Sequence, residues 1–195
     1  GNGARGVAQL IRIVSTTPTT ITFGSELAFT FATARTAQIF KPGIDDPNNF
    51  KKHVGLEDFI HEHTGAAAGD NHMFKYENCM DSWMKNVWGT NLVGGIYVMG
   101  NFSYRIAITR CRFDNSRALW GGQGYGVGLY AISTWFLVEN NIVTHLHVGF
   151  QNNYGSCYNV FAYNFGIDGV SDSGQNPTLS THGTTSHQVL FEGNW

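Results

Sequence analysis

A pair made of asparagine and a bulky apolar residue returns along this chain: Asn86-Val87, Asn141-Ile142, Asn164-Phe165 and Asn194-Trp195. Two imperfect copies, Asp58-Phe59 and Arg112-Phe113, fill the gaps. Taking the apolar member as the mark, the steps are 28, 26, 29, 23 and 30 residues. Five residues before each mark stand Val54, Ser82, Ile108, Leu137, Val160 and Leu190, all apolar but the serine. A repeat of this length predicts a solenoid, in which each repeat adds one coil and buries its face only against its neighbours.

From His53 onward each repeat carries two strand-like pieces. The first pieces lie near residues 72–76, 95–99, 127–130 and 148–150; the second carry the mark, as at 106–113 and 136–142. Irregular loops of unequal length separate them, such as 114–125 and 166–185, and account for the uneven period. Upstream, residues 7–14 and 20–23 are β-rich runs on either side of a loop containing Pro18, and residues 27–31 alternate large and small side chains. Residues 41–52 read as a polar, turn-rich connection. The pattern predicts a β-rich lead-in and connection over 1–50, then coils over 51–195.

Helical repeats would need Ala/Leu-rich amphipathic stretches, and no long 3.6-residue stripe is present. A propeller blade needs about 40 residues per repeat. A leucine-rich horseshoe would keep leucine at fixed offsets instead of mixing Ile, Val and Phe. The expected class is all-β, a parallel β-helix solenoid.

Composition agrees with that class. Charged residues make up 13% of the chain, about half the usual share, while glycine (24 residues) and aromatics (14%) are abundant. Such a surface is wetted by Asn, Ser, Thr and Gly, a pattern common in extracellular β-rich proteins, and an extracellular or cell-surface location is expected. A net charge of −2 gives no electrostatic footprint for nucleic acid or an anionic membrane. No apolar run approaches the 18 residues of a membrane span. Gly1 to Arg5 has no signal-peptide pattern, and Trp195 falls on a mark before any polar capping repeat, so the chain is expected to be an interior or truncated piece.

Cys79 and Cys157 each lie eight residues before a mark, three coils apart. At the strand spacing they stand roughly 14 Å from each other, beyond disulfide reach. No metal-type spacing links the cysteines, and no helix pattern follows the glycine-rich stretch at 121–126, so no metal or nucleotide cofactor is implied.

The segments Asp81 to Val87, Gly124 to Val127, Val138 to Ile142 and His182-Gly183 with Leu190 to Asn194 resemble the right-handed parallel β-helix proteins of the pectate-lyase-like superfamily. The resemblance covers roughly residues 50–195 and implies a bacterial or phage polysaccharide-acting or surface protein. Its polygalacturonase-like branch carries a Gly-His-Gly element; here Thr181 stands at the first glycine. The calcium-binding aspartates and the arginine element of pectate lyases have no counterpart.

The candidate chemistry lies in the loops and late in the chain. His182 precedes Gly183, which would let a substrate approach closely, and His187 and His72 add imidazoles. Asp168, Asp172 and Glu192 supply nearby carboxylates, so Asp168, His182, His187 and Glu192 form an expected general acid/base set. Trp120 and Tyr125, within flexible glycines, suit stacking on a sugar ring, and Asn152 and Tyr154 could extend that surface. Arg110, which shares a strand face with Arg112, would meet an acidic substrate. The asparagines of the mark are expected inside the coil wall, as a ladder of stacked amides.

Two functions stay open. One is a secreted carbohydrate-active β-helix enzyme, a polysaccharide lyase or glycoside hydrolase working in a groove along the coils. The other is a non-catalytic fibre, tailspike or adhesin module that is rigid, binds glycans or assembles as a homo-oligomer.

Overall fold

The computed structural model describes residues 8–31, 38–39, 50–65, 71–170 and 177–195, and these contain no helix, so none that is long and apolar enough to cross a membrane. Strands β1 (Ile13–Thr16) and β2 (Ile21–Phe23), which fall in the two β-rich runs, form an antiparallel hairpin. The coils then begin with β3 (Lys51–Lys52) and β4 (Gly55–Glu62), followed by β5 (Phe74–Glu77) and the long β6 (Cys79–Thr90). The next coil holds β7 (Ile96–Asn101), β8 (Tyr104–Thr109) and β9 (Arg112–Asp114); above it lie β10 (Tyr125–Tyr130), β11 (Leu137–Glu139) and β12 (Ile142–Thr144). Then come β13 (Val148–Asn153), β14 (Val160–Ala162) and β15 (Phe165–Ile167), and last β16 (Leu179–His182) and β17 (Leu190–Glu192).

All pairings between coils are parallel, and they build a β-solenoid of about five turns. Three walls enclose its core. Wall 1 stacks β5, β7, β10, β13 and β16. Wall 2 stacks the first halves of β4 and β6 with β8, β11, β14 and β17; wall 3 stacks the second halves of β4 and β6 with β9, β12 and β15. Each coil thus holds three strand pieces where the pattern predicts two, because the second piece is bent.

The bend is a single residue. Asp58, Asn86, Arg110, Asn140, Tyr163 and Gly193 occupy one corner column, all with φ between 52° and 58°. An isolated left-handed residue turns the chain sharply at a modest cost, least for Gly, Asn and Asp. A second such column, Asn78, Phe102, Ala131, Tyr154 and Gly183, turns wall 1 into wall 2. Inside, Met84, Ile108, Val138 and Phe161 stack one per rung and are fully buried. Tyr97 stacks on Phe113 at 5.3 Å and helps close the core.

The apolar marks do not form one column. Ile142 pairs with Arg112 on one side and Phe165 on the other, and Arg112 pairs with Trp88. This column faces outward, with Ile142 44% and Phe165 43% exposed, whereas Val87 and Phe113 are buried. Coils of unequal length hide a one-residue slip in the alignment, and one residue along a strand is the opposite face.

The amide ladder is real but shorter than expected. Asn194 Oδ1 accepts from the backbone N–H and Nδ2 of Asn164 at 3.0 and 2.9 Å. Asn164 Oδ1 accepts likewise from Asn141, at 3.0 Å in both bonds, and Asn141 Oδ1 accepts from the Cys111 N–H at 2.9 Å. Asn86 lies outside it, exposed at the corner, its Nδ2 donating to Asp58 Oδ1 at 2.7 Å. Arg112 also lies outside it, on the outer face of wall 3.

The three cysteines are free and buried. Burial pushes the thiols of Cys111 and Cys157 up to about 11 and about 12. The lead-in lies along the coils: the Thr134 hydroxyl donates to the Leu10 carbonyl at 3.4 Å, and the Phe29 ring sits 5.0 Å from that of His187. Residues 27–31 form no strand despite their alternation; the Ala28 N–H is taken by the Gln9 side chain at 2.7 Å. Of the turn-rich connection, 41–49 lie outside the described residues.

Candidate functional site

Wall 1 presents one outward residue per rung just before its corner: Glu77, Asn101, Tyr130, Asn153 and His182. Their outward direction follows from alternation, since Gly100, Leu129 and Asn152, one residue earlier, face the core. Two residues before this row lies a second outward row, which includes Lys75, Gln151 and Ser180.

Side chains within the rows are tied together. Lys75 Nζ meets Glu77 Oε1 at 2.9 Å, and Asn101 Nδ2 donates to the same oxygen at 2.7 Å. The Lys75 hydrogen bond holds the Glu77 carboxyl below the usual carboxylate range, with Asn101 helping and partial desolvation opposing. The Tyr130 hydroxyl donates to Gln151 Oε1 at 2.7 Å, Asn153 Nδ2 reaches that oxygen at 3.1 Å, and Gln151 Nε2 donates to Ser180 Oγ at 3.1 Å. Burial raises the Tyr130 phenol, which stays neutral.

The adjoining corner column adds aromatic rings. Phe102 is 38% and Tyr154 53% exposed. The Tyr154 ring stands 6.2 Å from Tyr130 and 6.2 Å from His182. The face is therefore a strip of amide, phenol and imidazole groups edged by exposed rings.

Of the four expected acid/base residues, only His182 lies on this strip. Asp168 is the corner residue after β15, with φ 53°. His187 opens wall 2 opposite Cys157 and packs on Phe29. Glu192 lies in β17 of wall 2 and accepts from the Tyr163 hydroxyl at 3.0 Å. The four are spread over different sides of the coil, and Asp172 lies outside the described residues.

The expected binding residues also separate. Tyr154 edges the strip. Trp120, 50% exposed, and Tyr125 lie at the other end of the wall 1 strands, where the Tyr125 hydroxyl accepts from the Gly122 N–H at 3.1 Å. His147 Nδ1 stands 3.0 and 3.2 Å from the carbonyls of Trp120 and Gln123 and orders that loop. Arg110 sits at the corner between walls 2 and 3.

Asn152 is a correction. It is fully buried, with Nδ2 donating to the Ser156 carbonyl and Oδ1 accepting from Asn159 Nδ2, both at 2.8 Å. It caps the inside of the coil and cannot touch a ligand; its neighbour Asn153 lies on the other face of the strand but is also buried, its side chain bonded to Gln151 and to the Tyr154 N–H. Glu77, Asn101, Tyr130 and Gln151 escape sequence reading, because their only signal is recurrence at the ends of the wall 1 strands.

No protein-family model, no curated protein and no solved structure matches the chain. Geometry alone defines the class: a parallel β-solenoid with a polar, aromatic-edged strip along one wall.

Proposed function

We propose that this chain belongs to a right-handed, pectate-lyase-like β-helix protein that holds a polysaccharide along wall 1, outside the cell or at its surface. The strip carries this reading: Glu77, Asn101, Tyr130 and His182 offer hydrogen-bonding groups on four of the five rungs, beside exposed Phe102 and Tyr154, while Asn153 on the remaining rung is buried. Rungs repeat at about 4.8 Å, so an extended sugar chain meets carboxylate, amide and phenol groups on successive rungs and, past the Tyr154 ring, the His182 imidazole. The two rings accept the apolar C–H faces of the sugars.

Binding is favoured over cleavage. Glu77 and His182 stand four rungs apart, roughly 19 Å, whereas paired carboxyl groups in glycosidases stand about 5–10 Å apart. Asp168, His187 and Glu192 face elsewhere.

Titration of the protein against a polysaccharide panel tests the reading. Tyr154→Ala is expected to weaken binding about tenfold, the size of one lost ring contact, with unchanged thermal unfolding. Unaltered affinity in Tyr154→Ala and Tyr130→Phe together would sink it. Release of reducing ends or unsaturated products, abolished by His182→Ala, would replace it with the enzymatic reading.

A further inference from the structure

The corner between walls 2 and 3 carries a separate feature. Two rows of side chains run parallel to the solenoid axis there: Asp58, Asn86 and Arg110 at the corner, and Ile60, Trp88 and Arg112 two residues later. Between them lies a trough of about 290 Å³ floored by Phe59 and Val87. One wall of the trough is polar; the other is apolar and aromatic up to Arg112.

Its two ends differ in charge. At one end the Asp58 carboxylate accepts from Asn86 Nδ2 at 2.7 Å. At the other, the Arg110 backbone N–H donates to the Glu139 carbonyl at 3.2 Å, but its guanidinium has no hydrogen-bond or ion-pair partner among the described residues. Arg112 lies over the Trp88 ring, 5.0 Å from its centroid, and donates through Nε to Asp114 Oδ2 at 2.8 Å. Asp114 is buried and also accepts from Trp88 Nε1 at 2.9 Å and Thr90 Oγ1 at 2.5 Å. Those bonds fix Arg112 through Nε and leave its terminal N–H groups without a partner among the described residues. The buried countercharge is thus taken up by Arg112, and the Arg110 guanidinium beside it is unspent.

We propose that this trough binds an oxyanion carried on a sugar ring, a carboxylate or a sulfate ester. Arg110 and Arg112 clamp the charge, since a guanidinium fork matches a planar or tetrahedral oxyanion through paired N–H bonds. The ring lies between Trp88 and Asn86. Asp58 sets the direction: two rungs, about 10 Å, from Arg110, it repels the anion from its own end. This site is independent of the wall 1 strip.

Calorimetric titration of the whole chain at low salt tests it with three oligosaccharides of equal length: a uronate, a sulfated one and a neutral one. The uronate, the sulfated sugar or both bind, identifying a carboxylate, a sulfate ester or their shared charge as the group held. The neutral sugar binds at least about tenfold more weakly. Arg110→Ala loses about tenfold, Asp58→Asn gains severalfold, affinity falls with added salt, and all variants melt as the parent does. Tyr154→Ala lowers only the binding common to all three sugars and leaves the excess of anionic over neutral binding and its salt dependence, which separates the trough from the wall 1 site. Equal binding of the neutral sugar, binding of neither anion, unchanged affinity in Arg110→Ala or weakened binding in Asp58→Asn would overturn the proposal.

Discussion

Asn164 carries more of the coil than its position in the sequence suggests. Its Oδ1 accepts two hydrogen bonds from Asn141, and its Nδ2 donates to Asn194 Oδ1 and to the Val138 carbonyl, both at 2.9 Å, with no solvent access. Asn164→Leu strands those partners and is expected to cost at least about 2 kcal/mol in urea unfolding. Asn86→Leu, which loses one exposed bond to Asp58 and puts a leucine at φ 52°, should cost only about 1 kcal/mol. The reverse order would refute the ladder. The three buried thiols should resist a thiol reagent at pH 8 in the native protein and react fully once it is unfolded. Desolvation, helped by His61 and Arg117, lowers the pKa of His63, whose Nδ1 accepts from the Val93 N–H at 3.4 Å. The unfolded chain protonates near pH 6.5 and the folded one only below that. Stability should therefore fall as pH drops from about 6.5 through the lower folded value, and His63→Gln should flatten that part of the melting curve against pH.

Among the strands, the distance between rungs sets what each position tolerates. A Cβ on Gly149 would stand 2.6 Å from the Thr178 carbonyl, a backbone atom that cannot step aside without moving β16. Gly149→Ala is expected to destabilise by about 1–3 kcal/mol. Gly121, in the loop before β10, has open space around its Cβ direction, and Gly121→Ala should be neutral or stabilising by up to about 1 kcal/mol. Equal effects in a denaturant titration of the two would show that the rungs are looser than described. The same spacing explains the register error. Leu137, Val160 and Leu190 do share one outward column, but Ile108 pairs with the inward Val138, so a mark aligned on Phe113 mixes two faces.

Across the whole molecule, the coils convert a repeat in sequence into rows of side chains parallel to one axis. Two of those rows carry the functional proposals. The strip on wall 1 draws on Glu77, Asn101, Tyr130 and His182, from four separate coils that no local motif connects. The trough joins Arg110, legible in sequence as an anion-binding candidate, to Trp88 and Asp58, which are not. The period, the β class, the β-rich lead-in and the separation of Cys79 from Cys157 were determined by the sequence alone, because strand alternation, repeat length and rung spacing are set by residues close along the chain. Which side of the wall each residue faces was decided only by the tertiary structure. Adjacent residues of a strand point in opposite directions, and loops of unequal length conceal which of two neighbours shares a column with the coil below. For that reason Asn153 faces outward and Asn152 inward, and the expected catalytic residues do not meet.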